Sequence, residues 1–495
     1  MKSGEHFIGI DLGAESGRIL IGDVGKGIIE IDEIFRFPIF PVSVGKHLFW
    51  DILNIWSNIL LGMRRAVSTT NRRFDGIGID SWALDFGLFD ENDNLLSNPH
   101  SYRDPYTNGI VDHIQSLVSE TELFQKTGLS YLNITTLGQL LTIKNSNPGL
   151  LSQAKTLLML PNLLAFWLTG IKQTEVTIAG NTQLLNLHNR TWDLDLISRV
   201  GLPADILTKV IPSGTIVGNI QTDIEKETGL KNTPFIATAC HDTASAVAAA
   251  PIESSEDAII SCGTWSVIGK EVTVPILSEQ ALKRGYHNIQ CACSTYYFAN
   301  YSIGLWLLQE LKREIEQGGN KMDYATLTEL AAKEKTFVAI INPDDSRFFH
   351  PGRITEKIKG FCIESHQQLP ENIGSIARTI LEGLALRYKN SIRDLELVSG
   401  KRIEKIHIIG GGSRNRLLCQ FTADATQKIV IAGPAEATGA ANILLQSMAL
   451  GDIADLKQLR TIIRNSFQLE TFLPGRVEAW DSADSIFSRY SHLKI

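Results

Sequence analysis

Residues 11–18 combine the groups that phosphate oxygens and a hydrated metal ion require. The segment reads Asp-Leu-Gly-Ala-Glu-Ser-Gly-Arg and directly follows the apolar residues 7–10. It supplies a carboxylate, small residues that let a ligand approach backbone N–H groups, and a guanidinium. Because Asp-Gly turns are also common for local reasons, this segment taken alone fits an ordinary hairpin as well as a phosphate site.

A second glycine-containing turn, at Gly263 and Thr264, has the same surroundings. Strand-like residues 258–260 precede it, and strand-like residues 267–269 follow it. Two short strands joined by a small-residue turn predict a β-hairpin, whose exposed N–H groups can form a concave anion site. This repetition favours phosphate binding for residues 11–18.

Three consecutive glycines, residues 410–412, follow the strand-like residues 406–409. Such a run has a high cost in conformational entropy, which is justified where a flat ligand such as adenine or ribose lies against the backbone. The run does not match the G-x-G-x-x-G fingerprint, so a dinucleotide-binding Rossmann domain is disfavoured. A tight turn into a helix that starts at Asn415 is the alternative interpretation.

His241, Asp242 and Thr243 follow the strand-like residues 234–239. A carboxylate at the end of a strand is well placed to accept the proton of a substrate hydroxyl. Phosphoryl transfer needs one such group, in-line geometry and charge neutralisation. Asp242 could also cap the helix predicted from Thr243 onwards, and the two roles are compatible.

Residues 80–85 and 102–104 place aromatic rings beside carboxylates, a combination that suits a sugar. The C–H face of a sugar stacks on a ring while its hydroxyls form hydrogen bonds. Tryptophans are nevertheless more often core residues than ligand platforms. We therefore assign Trp306 to the core and leave Trp82 open between the two roles.

The elements that must position these residues occur twice along the chain. Each half predicts a hairpin, an amphipathic helix and then a strand with a polar loop at its carboxyl end, where ligands bind in α/β sheets. The helices cover residues 51–67 and 373–398, and the strands lie within residues 74–80 and 405–411. We predict domains at residues 1–248 and 249–455, followed by a C-terminal helical appendage over residues 456–495.

Composition restricts the classes of protein to which the chain can belong. A length of 495 residues predicts more than one domain, and a formal net charge of −7 argues against a nucleic-acid partner. No apolar secretory core or membrane-spanning run is recognisable. The six cysteines lack paired zinc-site spacing and are typical of buried thiols in a reducing cytosol. We therefore expect a cytoplasmic protein without a membrane partner, and the oligomeric state stays open.

The order and content of these motifs resemble the FGGY carbohydrate kinases. The resemblance covers most of the chain, from about residue 8 to about residue 450, and rests on residues 11–18, 241–244, 262–266 and 410–415. Further motifs are most similar to those of the family members that phosphorylate L-rhamnulose, and they are residues 78–82, 102–104, 107–109, 241–247, 304–309 and 432–434.

The resemblance implies an α/β fold of two actin/hexokinase-like (ribonuclease H-like) domains with an active-site cleft between them. It implies ATP and Mg²⁺ as cosubstrate and ion, and transfer of the γ-phosphate to the 1-hydroxyl of a ketose, L-rhamnulose above all, in rhamnose catabolism. Asp242 would accept the proton, and Asp11 would lie near the metal. The implied sugar contacts are Ala83, His241, Asp242, Thr243 and Asn300. The implied ATP contacts are Ala14, Glu15, Ser16, Gly17, Arg18, Thr264, Gln309 and Gly411.

Two residues depart from the family pattern. Ala83 stands where the members acting on L-rhamnulose often have glycine, and one methyl group changes substrate discrimination by roughly 1–3 kcal/mol. Asn300 lies one residue further from Gly304 than the pattern has it. L-fuculose or another ketose stays open as the acceptor, and the loops around Trp82 and Arg103 would decide between them.

Two alternatives of another class also remain. An actin-like ATPase switch would hydrolyse ATP without a sugar acceptor and would give residues 241–243 no clear role. A sugar-responsive regulator would need a DNA-binding helix-turn-helix, for which the residues before the first predicted strand leave no room.

Overall fold

The computed structural model describes residues 5–475 and 477–490. The chain divides into two compact units, each formed from separate stretches of sequence. The first unit contains the residues up to 251 together with residues 272–298 and 437–466. The second contains residues 252–271, residues 299–436 and the residues from 467 onwards.

Strands and helices alternate along most of the chain. The strands are β1 (Glu5–Leu12), β2 (Ser16–Gly25), β3 (Ile28–Pro38), β4 (Pro41–Val44), β5 (His47–Trp50), β6 (Gly76–Ser81), β7 (Phe86–Phe89), β8 (Thr156–Met159), β9 (Thr174–Glu175), β10 (Val210–Ile211), β11 (Thr215–Asn219), β12 (Pro234–Ala237), β13 (Ala258–Cys262), β14 (Trp265–Val272), β15 (His287–Gln290), β16 (Tyr296–Ile303), β17 (Lys405–Ile409), β18 (Ile429–Ala432) and β19 (Glu470–Phe472).

The α-helices are α1 (Ile52–Thr70), α2 (Ile110–Leu117), α3 (Glu120–Thr127), α4 (Thr136–Ser146), α5 (Pro148–Gln153), α6 (Leu160–Thr169), α7 (Val176–Ala179), α8 (Leu194–Arg199), α9 (Thr222–Thr228), α10 (Asp242–Ala248), α11 (Glu279–Lys283), α12 (Trp306–Gln317), α13 (Tyr324–Lys333), α14 (Ile354–Glu364), α15 (Ile373–Ser399), α16 (Arg416–Thr426), α17 (Ala437–Ala449), α18 (Leu456–Ser466) and α19 (Val477–Phe487). Short 3-10 helices lie at Pro105–Thr107, Ala204–Ile206, Ala292–Ser294, Ser346–Phe348 and Gly411–Arg414. Within the described part of the chain, none of these helices has both the length and the apolar character that crossing a bilayer requires.

The main sheet of the first unit has the strand order β11-β12-β6-β1-β2-β3. β1 and β2 form the predicted antiparallel hairpin, in which Asp11 lies opposite Arg18. β6 runs parallel to β1 and brings Asp80 beside Asp11. Residues 7–12 of β1 and all residues of β6 are buried, as expected for central strands covered on both faces.

Helix α1 shows how the sequence covers this sheet. The Asp51 side chain accepts the backbone N–H of Asn54 and so satisfies one of the free donors at the helix start. The buried residues recur at helical spacing, which gives the helix one apolar face against β2 and β3. These buried residues are Ile52, Ile55, Ile59, Leu60, Gly62, Met63 and Ala66.

The second unit repeats the pattern of the first. Its main sheet contains the order β16-β14-β13-β17-β18-β19, with β13 and β14 antiparallel and β13 and β17 parallel. The long helix α15 precedes β17, as α1 precedes β6 in the first unit. The predicted duplication of hairpin, helix and strand is therefore confirmed.

The C-terminal residues differ from the expected helical appendage. Helix α18 belongs to the first unit and buries Leu459 and Ile463, whereas β19 pairs with β18 and buries Phe472 in the second unit. The apolar faces of these short elements need a core to cover them, and the two units provide one each. The segment is thus part of both units.

Candidate active site

The hairpin formed by β1 and β2 holds a carboxylate and a guanidinium together at its closed end. Asp11 is buried, and Nη2 of Arg18 donates to its Oδ2. The turn closes through a hydrogen bond from Gly13 N to Ser16 O of 3.0 Å. Ala14 and Ser16 are half-buried and Glu15 is exposed in this turn. The implied contacts of these three residues with ATP stay predictions.

Gly17 has a packing reason of its own to be glycine. A Cβ atom at this position would lie 2.3 Å from Cζ of the Phe37 ring. Any side chain there would have to displace the buried Phe37 ring. The small residue in this motif therefore does not by itself indicate a ligand.

Asp80 lies beside Asp11 and is fully buried. Its Oδ2 accepts a hydrogen bond of 2.6 Å from Nδ2 of Asn442, while no described residue donates to its Oδ1. Burial and the negative charge of Asp11 raise the pKa of Asp80 well above its usual range. Gln446 in turn donates to Asn442 Oδ1 at 3.0 Å and fixes the orientation of that amide.

Asn442 was missed by the sequence analysis. The signal that could have found it is a pair of amides at i and i+4, Asn442 and Gln446, within the otherwise small and apolar helix α17.

Asp242 is the first residue of α10, and residues 238–241 connect it to the end of β12. The bridge between Ser81 and His241, with Ser81 N donating to Cys240 O at 2.9 Å, places this end next to the end of β6. The position before the helix is His241, so Asp242 is not the N-cap residue. Its Oδ1 nevertheless accepts the N–H of Thr243 at 2.5 Å and the Thr243 hydroxyl at 3.2 Å.

The Asp242 carboxyl titrates close to neutrality. About a third (34 %) of its side-chain surface is exposed, but the protein surrounding the rest raises its pKa to about 7. The charge of Asp11 acts in the same direction, while the N–H of Thr243 acts against it. A carboxyl group with this pKa both accepts and returns a proton at neutral pH, as a general base must.

His241 lies beside Asp242 and is uncharged at neutral pH. Its Nε2 is 3.4 Å from Asp242 Oδ1. The ring is buried, and this burial lowers the pKa of His241 to about 3. The structure thus brings together four residues predicted from the sequence: Asp11, Arg18, His241 and Asp242.

The carboxylates of Asp11, Asp80 and Asp242 could also hold a magnesium ion. Carboxylate oxygens and water are the ligands that Mg²⁺ prefers. The charge of Asp11 raises the pKa of both Asp80 and Asp242, so a cation at Asp11 would relieve a repulsion that the protein itself contains. The site therefore fits the ion that the resemblance implies.

A second group of possible metal ligands has a structural explanation. Nδ1 of His47 and Nδ1 of His100 lie 3.2 and 2.9 Å from Asp104 Oδ2. Leu48 N also donates to Oδ2, at 3.0 Å, and Tyr106 N donates to Oδ1, at 3.0 Å. Asp104 thus ties β5 to the 3-10 helix that it caps, and both of its oxygens already accept hydrogen bonds within the protein.

Trp82 belongs to the core. It is 6 % exposed, and its Nε1 donates to Asp85 Oδ2 at 2.9 Å. The buried Asp85 also accepts Nε1 of Trp50 at 2.6 Å and Nε2 of Gln139 at 2.9 Å. Asp85 is therefore the residue that fixes this loop, while Ala83 beside it is half-buried. A substrate contact of Ala83 stays a prediction.

In the second unit, the hairpin turn brings Thr264 and Gln309 together. Nε2 of Gln309 donates to Oγ1 of Thr264 at 3.3 Å, and no described residue donates to the buried Oε1 of Gln309. The backbone of Gly304 donates to Thr264 O at 3.0 Å and so attaches the start of α12 to the turn. Trp306 on α12 is a core residue, as predicted, and its Nε1 donates to Phe348 O at 3.1 Å.

The three glycines after β17 have different environments. Gly410 has φ +78° and lies against Cys262 O, and a Cβ on Gly412 would lie 2.2 Å from Cys262 Sγ. Gly411 is exposed, and a Cβ there would meet no atom within 4 Å. Two glycines are thus required by the fold, and Gly411 alone faces open space. Asn415 caps α16, so the predicted strand-to-helix turn is also present.

Asn300 belongs to the second unit, whereas Ala83, His241, Asp242 and Thr243 belong to the first. It lies in β16, is 3 % exposed, and its Oδ1 has no partner among the described residues. Its contact with a sugar stays a prediction.

Comparison with known proteins is consistent with this geometry. The model of the N-terminal domain of the FGGY family of carbohydrate kinases matches residues 6–249, and that of the C-terminal domain matches residues 258–450. The rhamnulokinase of Oceanobacillus iheyensis is 38 % identical over 471 residues, which are 95 % of this chain and 99 % of that protein. The rhamnulokinase of Bacteroides thetaiotaomicron is 36 % identical over 490 residues, 99 % of each chain.

Solved structures of other kinases share the fold. The structure of gluconate kinase from Lactobacillus acidophilus has a TM-score of 0.80 at 18 % identity and covers 99 % of this chain and 97 % of its own. A ligand-bound xylulose kinase from the same organism has a TM-score of 0.81 at 18 % identity and the same coverage. The predicted α/β, ribonuclease H-like fold is therefore confirmed.

Proposed function

Because the chain belongs to the FGGY family of carbohydrate kinases, we propose that it transfers the γ-phosphate of ATP to the 1-hydroxyl of L-rhamnulose. The relatives that match nearly its whole length at 36–38 % identity are rhamnulokinases, and they support this acceptor. The observation that carries the reaction is the carboxyl of Asp242, which has a pKa of about 7 and lies close enough to Asp11 for the charge of Asp11 to act on it.

Asp242 is the proton acceptor in this proposal. Its carboxylate takes the proton of the sugar hydroxyl as the oxygen attacks phosphorus, and a pKa near 7 suits that transfer at neutral pH. Little covalent chemistry is required beyond this, since phosphoryl transfer depends mainly on positioning and charge neutralisation. His241, Thr243, Ala83 and Asn300 would contact the sugar.

The hairpin turn supplies the groups for the phosphates. Arg18 and the backbone N–H groups of residues 14–17 would bind phosphate oxygens. Asp11 would hold a hydrated Mg²⁺, which when bound neutralises charge on the phosphates. In the second unit, Thr264, Gln309 and Gly411 would contact ATP, and the open face of Gly411 and the unpartnered Oε1 of Gln309 support this assignment.

A coupled assay that follows ADP formation across a panel of ketoses tests the proposal. We expect the highest kcat/KM with L-rhamnulose and lower values with L-fuculose, L-ribulose and D-xylulose. A preference for L-fuculose would overturn the assignment of the sugar while leaving the kinase activity intact. ATP hydrolysis at the same rate with and without every sugar would favour an actin-like ATPase switch.

An Ala83→Gly variant, measured on the same panel, tests the predicted contact between Ala83 and the sugar. If Ala83 contacts the sugar, the variant should change the ratio of kcat/KM values between two ketoses by about 10-fold or more, which corresponds to the value of one methyl group. An unchanged ratio would remove Ala83 from the sugar contacts.

A further inference from the structure

A row of buried polar residues lies behind the loop that carries His241 and Asp242. Glu175 is fully buried, and its Oε2 accepts Thr177 Oγ1 at 2.6 Å and Cys240 N at 3.2 Å. The hydroxyl of Thr177 accepts His241 N at 3.1 Å. Two consecutive backbone N–H groups of the loop are thus held by side chains of the segment that begins at β9.

Asn181 extends this row to the imidazole ring. Its Nδ2 donates to Thr177 O at 2.9 Å, and a carbonyl oxygen can only accept, so this bond fixes which end of the amide is the nitrogen. The same Nδ2 lies 3.1 Å from Nδ1 of His241. Because the amide nitrogen donates, Nδ1 of His241 must accept, and the proton of the neutral ring must be on Nε2.

The protonated Nε2 faces Asp242. It lies 3.4 Å from Oδ1, the oxygen that already accepts the N–H and the hydroxyl of Thr243. Among residues 5–475 and 477–490, none forms a hydrogen bond with Oδ2. The donors around the carboxylate therefore converge on one oxygen and leave the other for a ligand.

We propose that Asn181 is a positioning residue, which fixes His241 as its Nε2–H tautomer. The Asp242 carboxylate then keeps Oδ1 occupied by donors and Oδ2 free for the proton of the acceptor hydroxyl. The part that concerns the acceptor rests on the proposed kinase function, whereas the tautomer does not. With the opposite tautomer, a lone pair of Nε2 would face a lone pair of Oδ1, and the carboxylate would turn or the ring would take up a second proton.

The tautomer is measured directly by ¹H–¹⁵N correlation spectra of the full chain labelled with ¹⁵N-histidine. The signals of His241 are assigned by their loss in His241→Gln. We expect a protonated Nε2 and an unprotonated Nδ1. A protonated Nδ1 in the wild-type protein would overturn the inference, whichever sugar the enzyme accepts.

Asn181→Asp tests the consequence, because the new carboxylate can only accept from Nδ1. We expect His241 to carry a proton on Nδ1 in this variant. We also expect kcat for sugar phosphorylation to fall about 10- to 100-fold with little change in the KM for ATP, as for other partners that orient a functional imidazole. A wild-type kcat together with the altered tautomer would overturn the positioning role.

Asn288→Asp is the matched control. Asn288 is equally buried in the same unit, and its Nδ2 donates to Ile276 O at 2.9 Å, but it contacts neither His241 nor Asp242. We expect this variant to lose stability without the change in tautomer or in kcat. If Asn181→Asp does not fold, Asn181→Ala replaces it; a mixture of tautomers with a reduced kcat is then expected, and a pure Nε2–H signal with unchanged kcat would contradict the proposal.

Discussion

Asp242 combines partial exposure with a pKa of about 7, and this combination determines what the residue can do. An exposed carboxyl would be too weak a base, and a fully enclosed one could not meet a substrate. The surrounding protein and the charge of Asp11 raise the pKa, so the group is half ionised at neutral pH. The open third of its surface leaves it accessible to a substrate.

Asp242→Asn should remove the base while keeping the shape of the site. We expect kcat to fall about 10²- to 10⁴-fold with small changes in the KM for ATP and sugar, because a general base contributes on that scale. Wild-type kcat should rise with pH through about 7, since the carboxyl is protonated below its pKa and inactive as a base. Steady-state kinetics from pH 5.5 to 8.5 measure both effects.

Asp193→Asn is the control for this substitution. Asp193 is also a buried carboxylate at a helix start, where it accepts Leu196 N at 2.9 Å, but it lies outside the candidate site. The Asp193→Asn variant should keep the wild-type kcat and the wild-type pH dependence of kcat. A near-normal kcat in Asp242→Asn would show that another group accepts the proton.

At the same scale, the sequence pointed to the candidate chemical groups better than to the residues that orient them. Asp11, Arg18, His241 and Asp242 stand in turns and at strand ends, where their types and spacing are informative. Asn442 contacts Asp80 across 362 positions, and Asn181 contacts His241 across 60. No local pattern encodes such a contact, because it exists only after the sheet and its helices have packed.

At the scale of elements, the repeated hairpin and parallel strand explain why candidate site residues gather at one edge of each sheet. In the first unit, β1 and β6 end side by side at Asp11 and Asp80. In the second, β13 and β17 end side by side at Ser261 and Ile409, just before the Gly263 turn and the three glycines. Parallel strands present their carboxyl ends together, so one topological rule produces both sites.

The glycines after β17 allow the two reasons for a glycine to be separated. Gly412→Ala should lower the free energy of unfolding by about 1–3 kcal/mol, because its Cβ would overlap Cys262. Gly411→Ala should leave stability within about 0.5 kcal/mol, because its Cβ meets open space. If Gly411 contacts ATP, the same methyl group should raise the KM for ATP several-fold.

Thermal melting of the two variants measures their stability, and ATP kinetics measure the effect of each substitution on the KM for ATP. Equal losses of stability would contradict the packing argument. An unchanged KM for ATP in Gly411→Ala would remove this residue from the nucleotide site.

At the scale of the whole molecule, the sequence predicted the duplicated α/β architecture but not how the chain is shared between the two units. Composition shifts and proline punctuation divide a sequence into contiguous pieces. The structure instead groups residues 437–466 with the first unit and the residues from 467 onwards with the second. Short amphipathic segments show that they need a core, but their periodicity does not tell which core covers them.

The last described helix tests whether the C-terminal segment is integral to the second unit. Trp480 on α19 is 4 % exposed. Its ring packs edge-on against Phe337 with a centroid distance of 4.8 Å, and it packs in a tilted arrangement against Phe421 with a centroid distance of 5.5 Å. Trp480→Ala should therefore lower the free energy of unfolding by about 3–5 kcal/mol, as expected for a buried aromatic residue in a core. Leu473→Ala, at a side chain that is 64 % exposed, should change it by less than about 0.5 kcal/mol. Denaturant titrations followed by tryptophan fluorescence and circular dichroism compare the two, and a small effect at Trp480 would instead support a dispensable appendage.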